Sequence, residues 1–136
     1  MQCRVRSTSV ASVAVILLMA LILPAVALAQ SYYSSLGVYA KSTYSGASRS
    51  YTSGGNMHIT CETYSAAGGY YKVKLVRDRT FPLSDVTIGS VDMLRNGHGY
   101  GNWSSVGNGN YHFYFDNSTG SSRIDCAADD VHMWSN

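Results

Sequence analysis

From residue 56 to the C-terminus, apolar and polar side chains alternate in short runs, and Gly or Asn interrupts each run. Met57, Ile59 and Cys61 alternate with His58, Thr60 and Glu62, and Tyr71, Val73 and Leu75 with Lys72 and Lys74. Tyr111, Phe113 and Phe115 alternate with His112 and Tyr114, and Val131 and Met133 with His132 and Trp134. A period of two puts successive side chains on opposite faces of a strand, so each run reads as a half-buried strand with one core-facing side. No stretch beyond residue 30 carries a helical period. Charged residues make up only 13%, against 13 glycines and 11 tyrosines, which excludes a disordered polyampholyte and a coiled coil. The expected fold is all-β, a small antiparallel β-sandwich, with a small β-barrel as the alternative.

Residues 1–29 have the three parts of a cleavable signal peptide. Arg4 and Arg6 supply the positive start, Val13 to Leu23 is an uncharged apolar run, and Ala27-Leu28-Ala29 after Pro24 is a small-x-small cleavage pattern. The apolar run is short for the ~30 Å of hydrocarbon that a membrane helix must cross. A secreted, extracellular protein with no membrane attachment after signal removal is therefore expected. The remainder divides into a Ser-, Tyr- and Gly-rich segment at 30–55, a tail or weak edge strands near 36–42 and 48–53, and a sandwich core at 56–136.

Two of the ten basic residues, Arg4 and Arg6, fall in the leader, which leaves basic and acidic side chains in balance. Nucleic-acid binding needs a basic footprint that releases phosphate counterions. The densest basic stretch, Lys72, Lys74, Arg77 and Arg79, reads as a solvated strand face instead. Cys3 leaves with the leader, so Cys61 and Cys126, both in core phase, are expected to form one disulfide in an oxidising compartment.

The turn chemistry makes two further expectations. Asn96-Gly97 suits a two-residue type I′ hairpin, which would pair Met93 with Tyr100 and Ser90 with Trp103. The apolar phase slips between Ile88 and Val91, so a β-bulge is expected at Gly89.

Signs of catalysis are sparse. There is no Gly-x-Ser-x-Gly elbow, Glu62 is the single glutamate, and the adjacent Asp129 and Asp130 point to opposite sides of a strand. Three histidines, His58, His112 and His132, lie on outward phases, and His98 follows the Asn96-Gly97 turn, yet none sits in a chelating spacing. Asp116-Asn117-Ser118-Thr119-Gly120 lacks the closing Glu of a calcium loop and suits a turn. No metal, no cofactor and no catalytic residue is assigned. What remains is aromatic: Tyr100, Trp103, Tyr114 and Trp134 are the candidate ligand-binding residues, because Tyr and Trp join an apolar plate to a polar tip. Core packing competes with that role, most strongly for Trp103. The expected function is a secreted, non-catalytic module that binds a glycan, a cell-wall polymer or a protein surface through exposed aromatics. An antibacterial or toxin-like effector is the alternative, and a small hydrolase or metalloprotein the second.

Overall fold

The computed structural model describes residues 30–52 and 55–136, so the signal peptide expected at 1–29 lies outside the described residues. Nine strands follow in chain order: β1 (Ser31–Val38), β2 (Thr43–Ser45), β3 (Arg49–Tyr51), β4 (Met57–Ser65), β5 (Tyr70–Arg77), β6 (Val86–Leu94), β7 (Gly97–Trp103), β8 (Gly109–Asp116) and β9 (Ile124–Ser135). They form two antiparallel sheets. One has the order β1-β9-β4-β7; the other has β2-β8-β5-β6, with β3 pairing β8 beside β2. Ile59, Met57 and Val131 of the first sheet face Val73, Leu75 and Phe113 of the second, and these side chains are buried. The sandwich expected from the alternation is the observed architecture.

The Ser- and Tyr-rich segment contributes strands β1 to β3, all on sheet edges. Leu36, Val38 and Tyr51 bury their side chains in the common core, so this segment is part of the sandwich. The C-terminal stretch forms the single strand β9, Ile124–Ser135, with a large bulge. Cys126 pairs with Leu36 and Val131 with Ser34, so the residues between them loop out, with Asp129 at a φ of 66°. Gly89 does mark an irregularity. It pairs with Leu75, while Thr87 pairs with Val76, which leaves Ile88 extra.

Two expectations are corrected. β6 and β7 do not form a hairpin: Met93 pairs with Tyr71 and Ser90 with Lys74, whereas Tyr100 pairs with Thr60 and Trp103 with Met57. Gly97 has a φ of 126°, but Asn96 is not in the positive region that a type I′ turn needs at both positions. The connection instead crosses between sheets. It lets Met93 and Trp103 enter the core from opposite sides, each over a glycine of β7. A Cβ on Gly101 would come within 2.9 Å of the Trp103 ring, and one on Gly99 within 3.0 Å of Met93.

The expected disulfide is also absent. Cys61 and Cys126 are both free, buried thiols. They share the core side of neighbouring strands, as the alternation implied, but the β9 bulge shifts the register. Cys61 lies opposite Val131, and Cys126 lies opposite Leu36. The nearby Cys126 sulfur, together with burial, pushes the Cys61 thiol up.

One end of the sandwich is closed by a buried polar clasp. Arg95, between β6 and β7, donates from Nε to Tyr70 O (3.0 Å), from Nη1 to Ser122 O (3.3 Å) and from Nη2 to Asn117 Oδ1. Asn117 Nδ2 donates to Tyr39 O (3.0 Å), Ser122 O (3.0 Å) and Val38 O (3.3 Å). Gly120 is required here, because a Cβ would sit 1.9 Å from Arg95 Nη2. The Arg95 guanidinium is thus buried with uncharged oxygens as its partners. Unsatisfied buried groups cost about 1–3 kcal/mol each. Asn117→Ala strands the guanidinium and several carbonyls, and is expected to lower the unfolding free energy by about 3 kcal/mol. Urea denaturation of the variant measures this.

Candidate functional site

On the outer face of the four-stranded sheet, five rings from four strands stand in contact. Tyr33 of β1 lies directly opposite His132 of β9, and His58 of β4 lies opposite Trp134 of β9. Strands pair about 4.8 Å apart, which is a favourable separation for stacked rings, so cross-strand ring pairs meet face to face. The Tyr33 and His132 centroids are 4.3 Å apart with planes 2° from parallel. Along β9, His132 and Trp134 stack at 4.5 Å and 22°. Trp134 and His58 stack at 5.0 Å and 13°, and His58 and Tyr100 of β7 at 6.0 Å and 27°. The result is a diagonal ribbon across the whole sheet, Tyr33–His132–Trp134–His58–Tyr100.

Polar contacts set the ring orientations. His132 Nε2 shares a hydrogen bond with Ser31 Oγ at 2.7 Å. His58 Nε2 donates to Asn136 Oδ1 at 2.9 Å, and its Nδ1 meets the Tyr100 hydroxyl at 2.7 Å. His58 is 8% exposed, at the foot of the ribbon, whereas the end rings Tyr33 and Tyr100 are 56% and 52% exposed. Desolvation holds His132 below its ordinary value of 6.5, so the ring stacks as the neutral imidazole at pH 7.

This packing decides what the ribbon can do. The three inner rings spend their faces on one another and turn edges to solvent; Tyr33 and Tyr100 each keep one face free. The edges offer polar tips between apolar carbons, and the free faces suit stacking against a flat apolar surface. Ser31 and His132 resemble a nucleophile and base in their contact alone. A working pair needs a third group to orient the imidazole and donors for an oxyanion, and no carboxylate hydrogen-bonds His132 among the described residues.

Of the four residues that sequence singled out, Trp134 and Tyr100 come together, with centroids 6.5 Å apart. Trp103 does not join them. It is 7% exposed, on the inward phase of β7, and packs against Phe113 at 5.7 Å. Tyr114 lies on the outer face of the other sheet under Lys74, whose Nζ is 5.1 Å from the ring centre. Lys74 there also pairs with Asp116 at 3.2 Å. The sequence reading missed Tyr33, His58 and His132 as parts of a site. The outward phase of both histidines was legible, but their neighbours were not. No model of a known protein family matches the chain, and no curated protein matches it either.

Two outcomes follow from the stacking. Trp134 is half-buried between two imidazoles, so Trp134→Ala is expected to cost about 2 kcal/mol, from two stacking contacts and partial burial. That exceeds a surface substitution and falls below the 3–5 kcal/mol of a core Trp (roughly); chemical denaturation resolves the two. The second concerns pH. The folded state holds His132 neutral, so the unfolded state takes up its proton first as pH falls through 6.5. The stability contributed by this residue is therefore complete above that value and is lost on acidification. His132→Gln should flatten this part of the stability profile between about pH 7 and pH 5, read from denaturation midpoints.

Proposed function

We propose that the chain is an exported, non-catalytic binding module whose ligand contact is the ring ribbon, and that the ligand is an extended glycan or cell-wall polymer. The observation that carries this reading is the ribbon itself. Five rings run in one line across four strands and end in two half-exposed tyrosines. A line of ring edges with a free face at each end matches a linear chain lying across the strands, its sugar C–H faces against the terminal rings and its hydroxyls against the Tyr and His tips. Asn102, opposite His58 on β7, adds an amide on the same face. The signal-like sequence of residues 1–29 supports export, and cleavage after Ala29 would leave Gln30 first, with its carbonyl accepting from the Ser135 N–H.

The site is poor in unpaired charge. Glu62 and His98, the nearest ionisable pair on this face, are hydrogen-bonded to each other. Long-range steering is weak for such a surface, and stacking survives salt.

Retention on insoluble polysaccharides tests the proposal. Tyr33→Ala and Tyr100→Ala should each weaken retention roughly five-fold, from about 1 kcal/mol per stacked ring. Raising the salt to about 1 M should leave the wild-type retention in place. Each variant gives up one ring contact within the row, and Tyr100→Ala also a hydrogen bond to His58, so their unfolding midpoints should fall by less than that of Trp134→Ala and the chains should remain folded in the assay. Unchanged retention in the Tyr33→Ala/Tyr100→Ala double variant would show that the ribbon is not the binding surface.

A further inference from the structure

Away from the ribbon, on the other sheet, we infer that Asp78, Asp85 and His112 form a divalent-cation site that takes zinc. Asp78 directly follows β5, Asp85 directly precedes β6, and His112 projects from the outer face of β8. Each offers a ligand atom, and the three atoms lie within 4.8 Å of one another. His112 Nδ1 is 2.5 Å from Asp78 Oδ1.

The case rests on donor chemistry and on charge. One imidazole nitrogen with two carboxylate oxygens is a mixed set that zinc accepts, with open positions left for water. An all-oxygen shell, which calcium takes, is not what the fold assembles here. The two carboxylates are brought together without a cationic partner of their own. Among the described residues, Lys72, Lys74 and Arg123 pair with Asp92, Asp116 and Asp125, and only His112 pairs with Asp78. A bound divalent ion neutralises both at once.

The surroundings hold the ligands in place. Ser48 Oγ donates to the second oxygen of Asp78, and the Arg79 N–H donates to Asp85 Oδ1 at 2.8 Å. Hydrogen bonds of this kind orient ligand carboxylates, and losing one weakens metal affinity. Asp78 and Asp85 also flank the loop of residues 79–84, whose tip residue Phe81 is 92% exposed. An ion on both carboxylates closes the base of that loop onto β8.

Zinc chloride and calcium chloride, each added to the purified chain, are the probes. Zinc should raise the thermal midpoint by several degrees and slow tryptic cleavage after Arg79; calcium should do neither. Both zinc effects should vanish in Asp85→Asn, a change on an exposed loop that keeps the acceptor for Arg79, and in His112→Gln. Ser48→Ala should weaken zinc binding about ten-fold in calorimetry. No zinc response in the wild-type chain overturns the site. So does a response that persists in both Asp85→Asn and His112→Gln, which would assign the zinc to the other imidazoles. An equal calcium response overturns the choice of metal. Polysaccharide retention is a separate readout, so failure here leaves the ribbon untouched.

Discussion

The buried contact between Arg95 and Asn117 joins parts of the chain that the sheets alone leave separate. Arg95 sits where the chain crosses from one sheet to the other, and Asn117 follows β8 of the second sheet. Through Val38 O and Tyr39 O, Asn117 also holds the end of β1 in the first sheet. Core side chains attract one another without direction, so they fix the distance between two sheets better than the relative position of their edges. Directed hydrogen bonds supply that second constraint. A lysine could not replace Arg95, since the planar fork sends three separate N–H groups to Tyr70, Ser122 and Asn117.

The layer structure was legible because period two states which side of a strand is buried. Val131 and Met133 face inward, with His132 and Trp134 outward, as the alternation requires. Partners were not legible, for the pairing of β4 with β9 joins residues far apart in sequence; His58 and Asn136 are 78 positions apart and share a hydrogen bond. Local turn chemistry failed at Asn96-Gly97 for a related reason. Met93 and Trp103 both demand burial, and a flat hairpin cannot satisfy them as well as a crossing that sends each into the core from its own sheet. The cysteine argument failed at a finer level. Phase placed both sulfurs in the core and near one another, but the register set by the β9 bulge does not make them direct cross-strand partners, and no S–S bond joins them. His112 with Asp78 and Asp85 had no sequence spacing to betray it, because the loop between β5 and β6 supplies the two carboxylates and β8 the imidazole.

The ribbon corrects a common intuition about surface aromatics. Exposed rings suggest flat platforms, yet rings in register on neighbouring strands bind each other first. Tyr33 and His132 are parallel within 2°, which leaves no room for a ligand between them. Trp134, one of the four candidates read from the sequence, has an imidazole on each side. It holds the row together, and in the proposed binding mode contact with a ligand falls to the rings at the two ends. Such a surface is stiff before anything binds, which reduces the ordering entropy that association must overcome.

That stiffness connects the clasp to the surface. Tyr33 lies on β1, an edge strand with a single neighbour, and an edge strand is the element most free to slip. Three features hold it: Leu36 and Val38 enter the core, Asn117 ties down Val38 and Tyr39 at one end, and Gln30 O accepts from Ser135 N at the other. A slip of one residue would turn Tyr33 inward and bring Tyr32 or Ser34 beneath His132. The ribbon would then lose its first ring, and His132 would gain the exposed face. The position of one end of the proposed binding surface thus depends on hydrogen bonds at the far end of β1, made by a side chain on the other sheet.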